Sequence, residues 1–291
     1  MIRYWLLAGA IALAANFAAA RDLVVEPVEF PLQIGELTLK LVGTLLKPAG
    51  EGPFPAVVLN HGAWGPAEKR RETARLDYAP LSTWFAERGF AVLVPMRRGY
   101  GASEGEVAES SGGCADPDYT RAGLVSAQDI LAALRWLQGQ NFTDRRRTLL
   151  VGYSAGGWGS VAAASLVSQE LVGLISLAGG RGGFAGNGWP CVTPRMIDAA
   201  RGFAAKSGPL PSLWLYGTQD ALFGPEFARQ MAAAWNESGG RVDLKIIAPD
   251  HADGHGLFEA TEGVAFWAPL ITTFLERILP AQPLSSLQPP R

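Results

Sequence analysis

The apolar run Thr148–Val151 leads directly into Gly152-Tyr153-Ser154-Ala155-Gly156, and small residues continue through Gly157–Leu166. This reads as a β-strand, a tight turn and a helix, the order that holds a nucleophile at the tip of a strained elbow. Glycines at both ends of the pentapeptide let strand and helix approach without colliding side chains. The hydroxyl of Ser154 is then left exposed above the sheet, at the positive end of the helix.

The rest of the chain fits an elbow embedded in a large sheet. At 291 residues it is long enough for one α/β domain with a full core. Leu23–Ile34 and Leu37–Leu46 read as two β segments joined by a hairpin at Gly35-Glu36. Ala56–Leu59, Phe90–Val94, Leu171–Leu177, Leu213–Tyr216 and Val242–Ile247 are short apolar strands. Runs of that kind suit a sheet buried on both faces. Helical patterns fall over Leu81–Arg88, Arg121–Leu137, Glu226–Trp235 and Val264–Ile278. This alternation predicts a mostly parallel sheet with helices on both faces. Gly99–Tyr119 and Gly180–Pro211 interrupt the rhythm. Both follow strand C-termini, where open α/β sheets bind ligands. The second is expected to form a small cap over the site.

The ends are expected to lie outside the fold. Residues 1–20 combine Arg3, the apolar stretch Trp5–Ala15 and Ala18-Ala19-Ala20, the pattern of a cleaved signal peptide, with an uncleaved anchor as the alternative. Residues 280–291 are rich in proline and polar groups and are expected to be a flexible tail. The domain proper is then 21–279, in the periplasm or outside the cell, with no stable membrane association after cleavage. An exported chain with two cysteines, Cys114 and Cys191, points to one disulfide, two buried thiols being the alternative. The net charge of −2 and the absence of a basic stripe argue against nucleic acid as a partner. Arg145-Arg146-Arg147 reads as a solvated loop before the elbow strand. With three histidines and no paired cysteine spacing, no metal or cofactor is expected.

A serine hydroxyl needs a base, and the base needs an acid to fix its tautomer. Only His251 and His255 follow Ser154, both in the loop between the last strand and the last helix. His61 precedes the serine and is expected to be structural. The acid should end the strand Leu213–Tyr216, and Asp220 sits in that exit turn. Asp250 and Asp253 are expected to make turns. An oxyanion hole needs two aimed backbone donors. Ala155 N–H should be one, and Ala63 N–H, after the Ala56–Leu59 strand, the other. Trp64, Tyr153 and Phe223 are expected to touch substrate, in a pocket to which Phe184 and Trp189 could add. Arg181 is expected to be a solvated cap residue, with a substrate carboxylate as the alternative.

These residues resemble the dienelactone-hydrolase-like branch of the α/β-hydrolase superfamily. The resemblance rests on Asn60-His61-Gly62, Arg97-Arg98-Gly99-Tyr100-Gly101, the Gly-Tyr-Ser-Ala-Gly elbow, Leu215-Tyr216-Gly217 with Asp220, and Asp253-Gly254-His255. It implies an α/β-hydrolase fold and favours His255 over His251 as the base. Dienelactone hydrolases proper carry a cysteine where this chain has Ser154, and a serine in that place implies a general esterase. The expectation is therefore an exported serine hydrolase acting on a small-molecule carboxylic ester. A peptidase or amidase of the same fold, or a catalytically silent binding protein, are the alternatives.

Overall fold

The computed structural model describes residues 22–64, 67–182, 184–186, 189–248 and 253–279. The expected signal peptide, the C-terminal tail and His251 lie outside these residues. In chain order the elements are β1 (Leu23–Ile34), β2 (Leu37–Pro48), β3 (Phe54–Asn60), α1 (Ala67–Glu72), α2 (Leu81–Glu87), β4 (Ala91–Pro95) and α3 (Tyr119–Gln138). They continue with β5 (Thr143–Tyr153), α4 (Ala155–Val167), β6 (Gly173–Leu177), β7 (Phe184–Gly186), β8 (Trp189–Pro190) and α5 (Thr193–Ser207). The last are β9 (Pro211–Gly217), α6 (Pro225–Glu237), β10 (Arg241–Ile247) and α7 (Val264–Ile278).

Eight strands form one sheet in the order β1-β2-β4-β3-β5-β6-β9-β10. β1 pairs antiparallel with β2, and β2 antiparallel with β4. From β4 to β10 every neighbour is parallel. Every residue of β4 and of β6 is buried, as strands covered on both faces require. On the described residues the sheet is an α/β-hydrolase sheet, with β5 and its elbow at the centre.

Helices α3, α4, α5 and α6 pack side by side in sequence. α2 and α7 meet separately, Trp84 against Trp267 with ring centroids 5.6 Å apart. Helix α3 starts where Asp118 accepts a hydrogen bond from Arg121 N–H at 2.8 Å, an N-cap that satisfies an otherwise orphaned donor. Among the described residues no helix is long and apolar enough to cross a membrane.

Two expectations are corrected here. Half of Gly180–Pro211, read as a cap, is helix α5, an ordinary member of the helical layer. Its Met196, Ala199, Ala200, Phe203 and Ala204 are buried, and Phe203 packs on Trp158 of α4 at 5.4 Å. Only the segment before it is an excursion, carrying the small hairpin of β7 and β8. Arg145–Arg147 are not a loop but part of β5, which starts at Thr143. Arg145 and Arg146 are exposed and Arg147 is half-buried, and the pairing of β5 with β3 shifts register between Phe54 and Ala56.

The disulfide between Cys114 and Cys191 is present, with Cα atoms 5.1 Å apart and a sequence separation of 77. It ties the excursion after β4 to the one after β6. Beside it, Tyr119 O–H donates to the Cys191 carbonyl.

Candidate active site

The elbow is built by a chain reversal that leaves no room for side chains. Ser154 has φ 52° and ψ −120°, a conformation that costs a non-glycine residue about 1–3 kcal/mol. Its N–H is tied to Leu177 O at 2.9 Å, and its own carbonyl accepts from Trp158 N and Gly180 N, both at 3.1 Å. A Cβ on Gly152 would lie 2.3 Å from Gly156 O, and one on Gly156 would lie 2.3 Å from Asn60 O. The close crossing of β3, β5 and α4 is therefore open only to glycine at these two positions. Asn60 fills the space beneath, its Nδ2 donating to Val151 O at 3.1 Å and to Ser160 Oγ at 2.9 Å.

Ser154 Oγ lies 3.1 Å from His255 Nε2, and His255 Nδ1 lies 2.9 Å from Asp220 Oδ2. A carboxylate only accepts, so Nδ1–H donates to Asp220 and Nε2 is left to accept the serine proton. The other oxygen, Oδ1, accepts from Leu222 N–H and Phe223 N–H, both at 2.8 Å. His255 is placed from behind by Asp253, whose carboxylate accepts from the N–H groups of His255 and Gly256 at 3.0 and 3.2 Å. This is the turn-making role expected for Asp253. The histidine loop reaches the aspartate turn because Gly254 packs on the backbone of Gly217.

Ser154 and His255 line a cleft of about 750 Å³, with Asp220 buried behind the histidine. Trp64, Tyr153, Phe223, Ala63 and Ala155 all line it. Trp189 lies elsewhere, half-buried with its ring 6.4 Å from Phe227, and the side chain of Phe184 lies outside the description. Among the described residues neither Ala63 N–H nor Ala155 N–H donates to a backbone carbonyl. Both therefore remain available to the cleft.

His61 is fully buried and sits away from the serine. Its Nε2 accepts from Arg97 N–H at 3.2 Å, which makes Nδ1 the donor to Gly62 O at 2.7 Å. Burial and the neighbouring Arg97 guanidinium hold its pKa well below the ordinary value, so the ring is a neutral strut. It is structural, as expected.

Sequence reasoning missed the polar cluster on the cleft's flank. Glu109 is buried and takes Arg97 in a fork, Nε at 2.5 Å and Nη2 at 3.0 Å. It also accepts from Arg181 Nη1 at 2.9 Å, Tyr100 O–H at 3.0 Å and Ser126 O–H at 2.7 Å. Burial opposes its charge, but Arg97 and Arg181 prevail and hold its pKa well below the usual carboxylate range. Arg181 is thus no solvated cap residue: its side chain is 9% exposed and lines the cleft. The signal that could have found Glu109 is Arg97-Arg98 directly after a buried strand, since buried arginines demand carboxylates. Asp129 answers Arg98 in the same way, with Oδ1 accepting from Nε at 2.8 Å. Tyr78 was also missed. It is buried, with its hydroxyl 3.4 Å from Gly62 N, and burial together with Glu259 and Tyr153 pushes its pKa up.

The family described as X-Pro dipeptidyl-peptidase (S15 family) matches residues 38–192, more than half of the chain. The chain belongs to this family. Its α/β-hydrolase fold is shared with a dienelactone hydrolase described as putative, from Klebsiella pneumoniae, at TM-score 0.52 and 18% identity, over 87% of this chain and 99% of that one. The esterase Pf2001 of Pyrococcus furiosus is similar at TM-score 0.60 and 16% identity, over 88% and 93%. The acylaminoacyl peptidase of Pyrococcus horikoshii is similar at TM-score 0.62 and 20% identity, over 89% of this chain and 43% of that one. Curated relatives match only in part. The homeobox-leucine zipper protein HOX27 of rice is 32% identical over 128 residues, 44% of this chain and 32% of its own length. The chain spans well under half the length of the curated relatives it matches. These likenesses support a hydrolase of the α/β-hydrolase fold, with dienelactone-hydrolase-like architecture.

Proposed function

We propose that this hydrolase cleaves carboxylic esters through Ser154, His255 and Asp220. The observation that carries the reading is the unbroken chain Asp220–His255–Ser154, with contacts of 2.9 and 3.1 Å, ending in a strained serine at the floor of a cleft. Ser154 Oγ attacks the ester carbonyl as its proton passes to His255 Nε2. The oxyanion is held by the N–H groups of Ala63 and Ala155. Collapse expels the alcohol, which takes the proton from His255, and leaves an acyl-serine. Water, deprotonated by the same imidazole, attacks the acyl-serine, and the acid departs as the proton returns to Ser154. Asp220 holds the tautomer and stabilises the imidazolium.

Amide or peptide cleavage is the second reading, favoured by the description of the matching family. The triad chemistry is the same, and the leaving group differs. Rates on an ester and an anilide of one acyl group separate the two. The proposal expects the ester to be turned over and the anilide to lag by orders of magnitude. An anilide hydrolysed at a rate comparable to the ester makes the protein a peptidase or amidase. Export is part of the same reading, and what supports it is the Cys114–Cys191 bond, since disulfides persist in oxidising compartments.

A further inference from the structure

One feature of the cleft is unused by the chemistry above: its buried charge does not balance. Arg97 uses all three of its nitrogens, with Nε and Nη2 on Glu109 and Nη1 donating to His61 O at 2.7 Å. Arg181 shares that single carboxylate through Nη1 alone. Its remaining N–H groups have no partner among the described residues. Two guanidinium charges thus face one carboxylate, and the surplus sits on the residue that lines the cleft. The two carboxylates that also line the cleft do not answer it. Glu259 faces Tyr78 and Tyr153, whose pKa values it helps to raise, and Asp77 accepts from Ala79 N–H at 3.3 Å. A nearly buried cation is costly unless an anion reaches it.

The position of this cation ties it to the reaction. Arg181 follows Gly180, whose N–H donates to the Ser154 carbonyl. Its backbone therefore flanks the nucleophile. Glu109 fixes the guanidinium from behind, so its free edge is held before any ligand arrives. A planar fork held in this way matches a carboxylate, which can accept two parallel N–H bonds. We propose that Arg181 binds a free carboxylate on the substrate, so that the enzyme acts on esters that carry a second, unesterified acid group. This rests on the ester-hydrolase reading for the reaction, but the binding step can be tested without it.

The test pairs charged and neutral esters of matched length, followed by base titration. Monoethyl adipate against ethyl hexanoate places the carboxylate on the acyl half. 4-Acetoxybutanoate against butyl acetate places it on the alcohol half. The charged member of one pair is expected to win in kcat/KM, mainly through KM. In Arg181→Gln that charged-to-neutral ratio is expected to fall about ten- to a hundredfold, the range for losing a charge-assisted hydrogen-bonded pair. Because the ratio is taken within one variant, partial misfolding cancels. Arg181→Lys keeps a cation against Glu109 and is expected to retain part of the preference, and it serves if the glutamine variant does not fold. Neutral esters preferred in both series, or a preference that survives Arg181→Gln, overturns the proposal. Thermal stabilisation by adipate alone supplies a readout that needs no turnover. It is expected in the wild type and lost in Arg181→Gln. If no ester is hydrolysed, the ester-hydrolase reading fails, and this arm alone decides on Arg181. Equal stabilisation of both proteins by adipate, or of neither, rejects it.

Discussion

Asp220 divides its carboxylate between two tasks. Oδ1 closes the turn by accepting from Leu222 and Phe223, and Oδ2 holds His255. The residue that contacts His255 is thereby fixed by the backbone that carries it. The elbow glycines act at the same scale. Gly156→Ala would drive a methyl to 2.3 Å from Asn60 O and 2.4 Å from His61 O, main-chain atoms at the end of β3 and the start of the loop after it. Neither can rotate away. The variant is expected to lose at least about 1–3 kcal/mol of stability, the usual cost of overpacking. Because the displaced backbone belongs to the His61–Ala63 loop, activity should fall further than stability does. Urea unfolding and ester turnover on the same preparation check this. A variant with wild-type values of both would show that the crossing is looser than described.

At the scale of elements, the Cys114–Cys191 bond joins the two excursions that flank the cleft. It closes a loop of 77 residues. A chain-entropy estimate gives about 4–5 kcal/mol for a loop of that size. Reduction is therefore expected to lower the melting temperature substantially. It should also raise KM, because Ser110, Ser111 and Arg181 line the cleft on the excursions the bond connects. Calorimetry and kinetics with and without a non-thiol reductant test both effects. Unchanged stability after verified reduction would contradict the role given to the bond. Much of this level was legible in the sequence. The bounds of β1 and α7, the hairpin at Gly35-Glu36 and the strand–elbow–helix unit follow from periodicity and glycine placement, which are local signals. Helix α5 was missed although Met196, Ala199, Ala200, Phe203 and Ala204 carry helical spacing. The glycines before it drew the whole stretch into one loop. Glu109 was missed for a different reason. Its partners Arg97, Ser126 and Arg181 are 12, 17 and 72 residues away, and a lone glutamate in a Gly-rich segment looks solvated until the fold closes around it.

Across the whole molecule, the parallel strands deliver their ends to one edge. The turns after β3, β5, β6 and β9 supply Ala63, Ser154, Arg181 and Asp220, and the loop after β10 supplies His255. Five loops far apart in sequence thus converge because the sheet order places their strands side by side. The rigid sheet sets the 2.9 and 3.1 Å contacts without any help from substrate. A preformed site of this kind makes a direct claim about reactivity. Treatment of the folded protein with a fluorophosphonate, followed by peptide mass spectrometry, measures it. The expected result is a single stoichiometric adduct on Ser154, formed in the wild type and abolished in His255→Ala. No adduct on Ser154, or one that forms as fast without His255, would contradict the assignment of a serine nucleophile activated by that histidine.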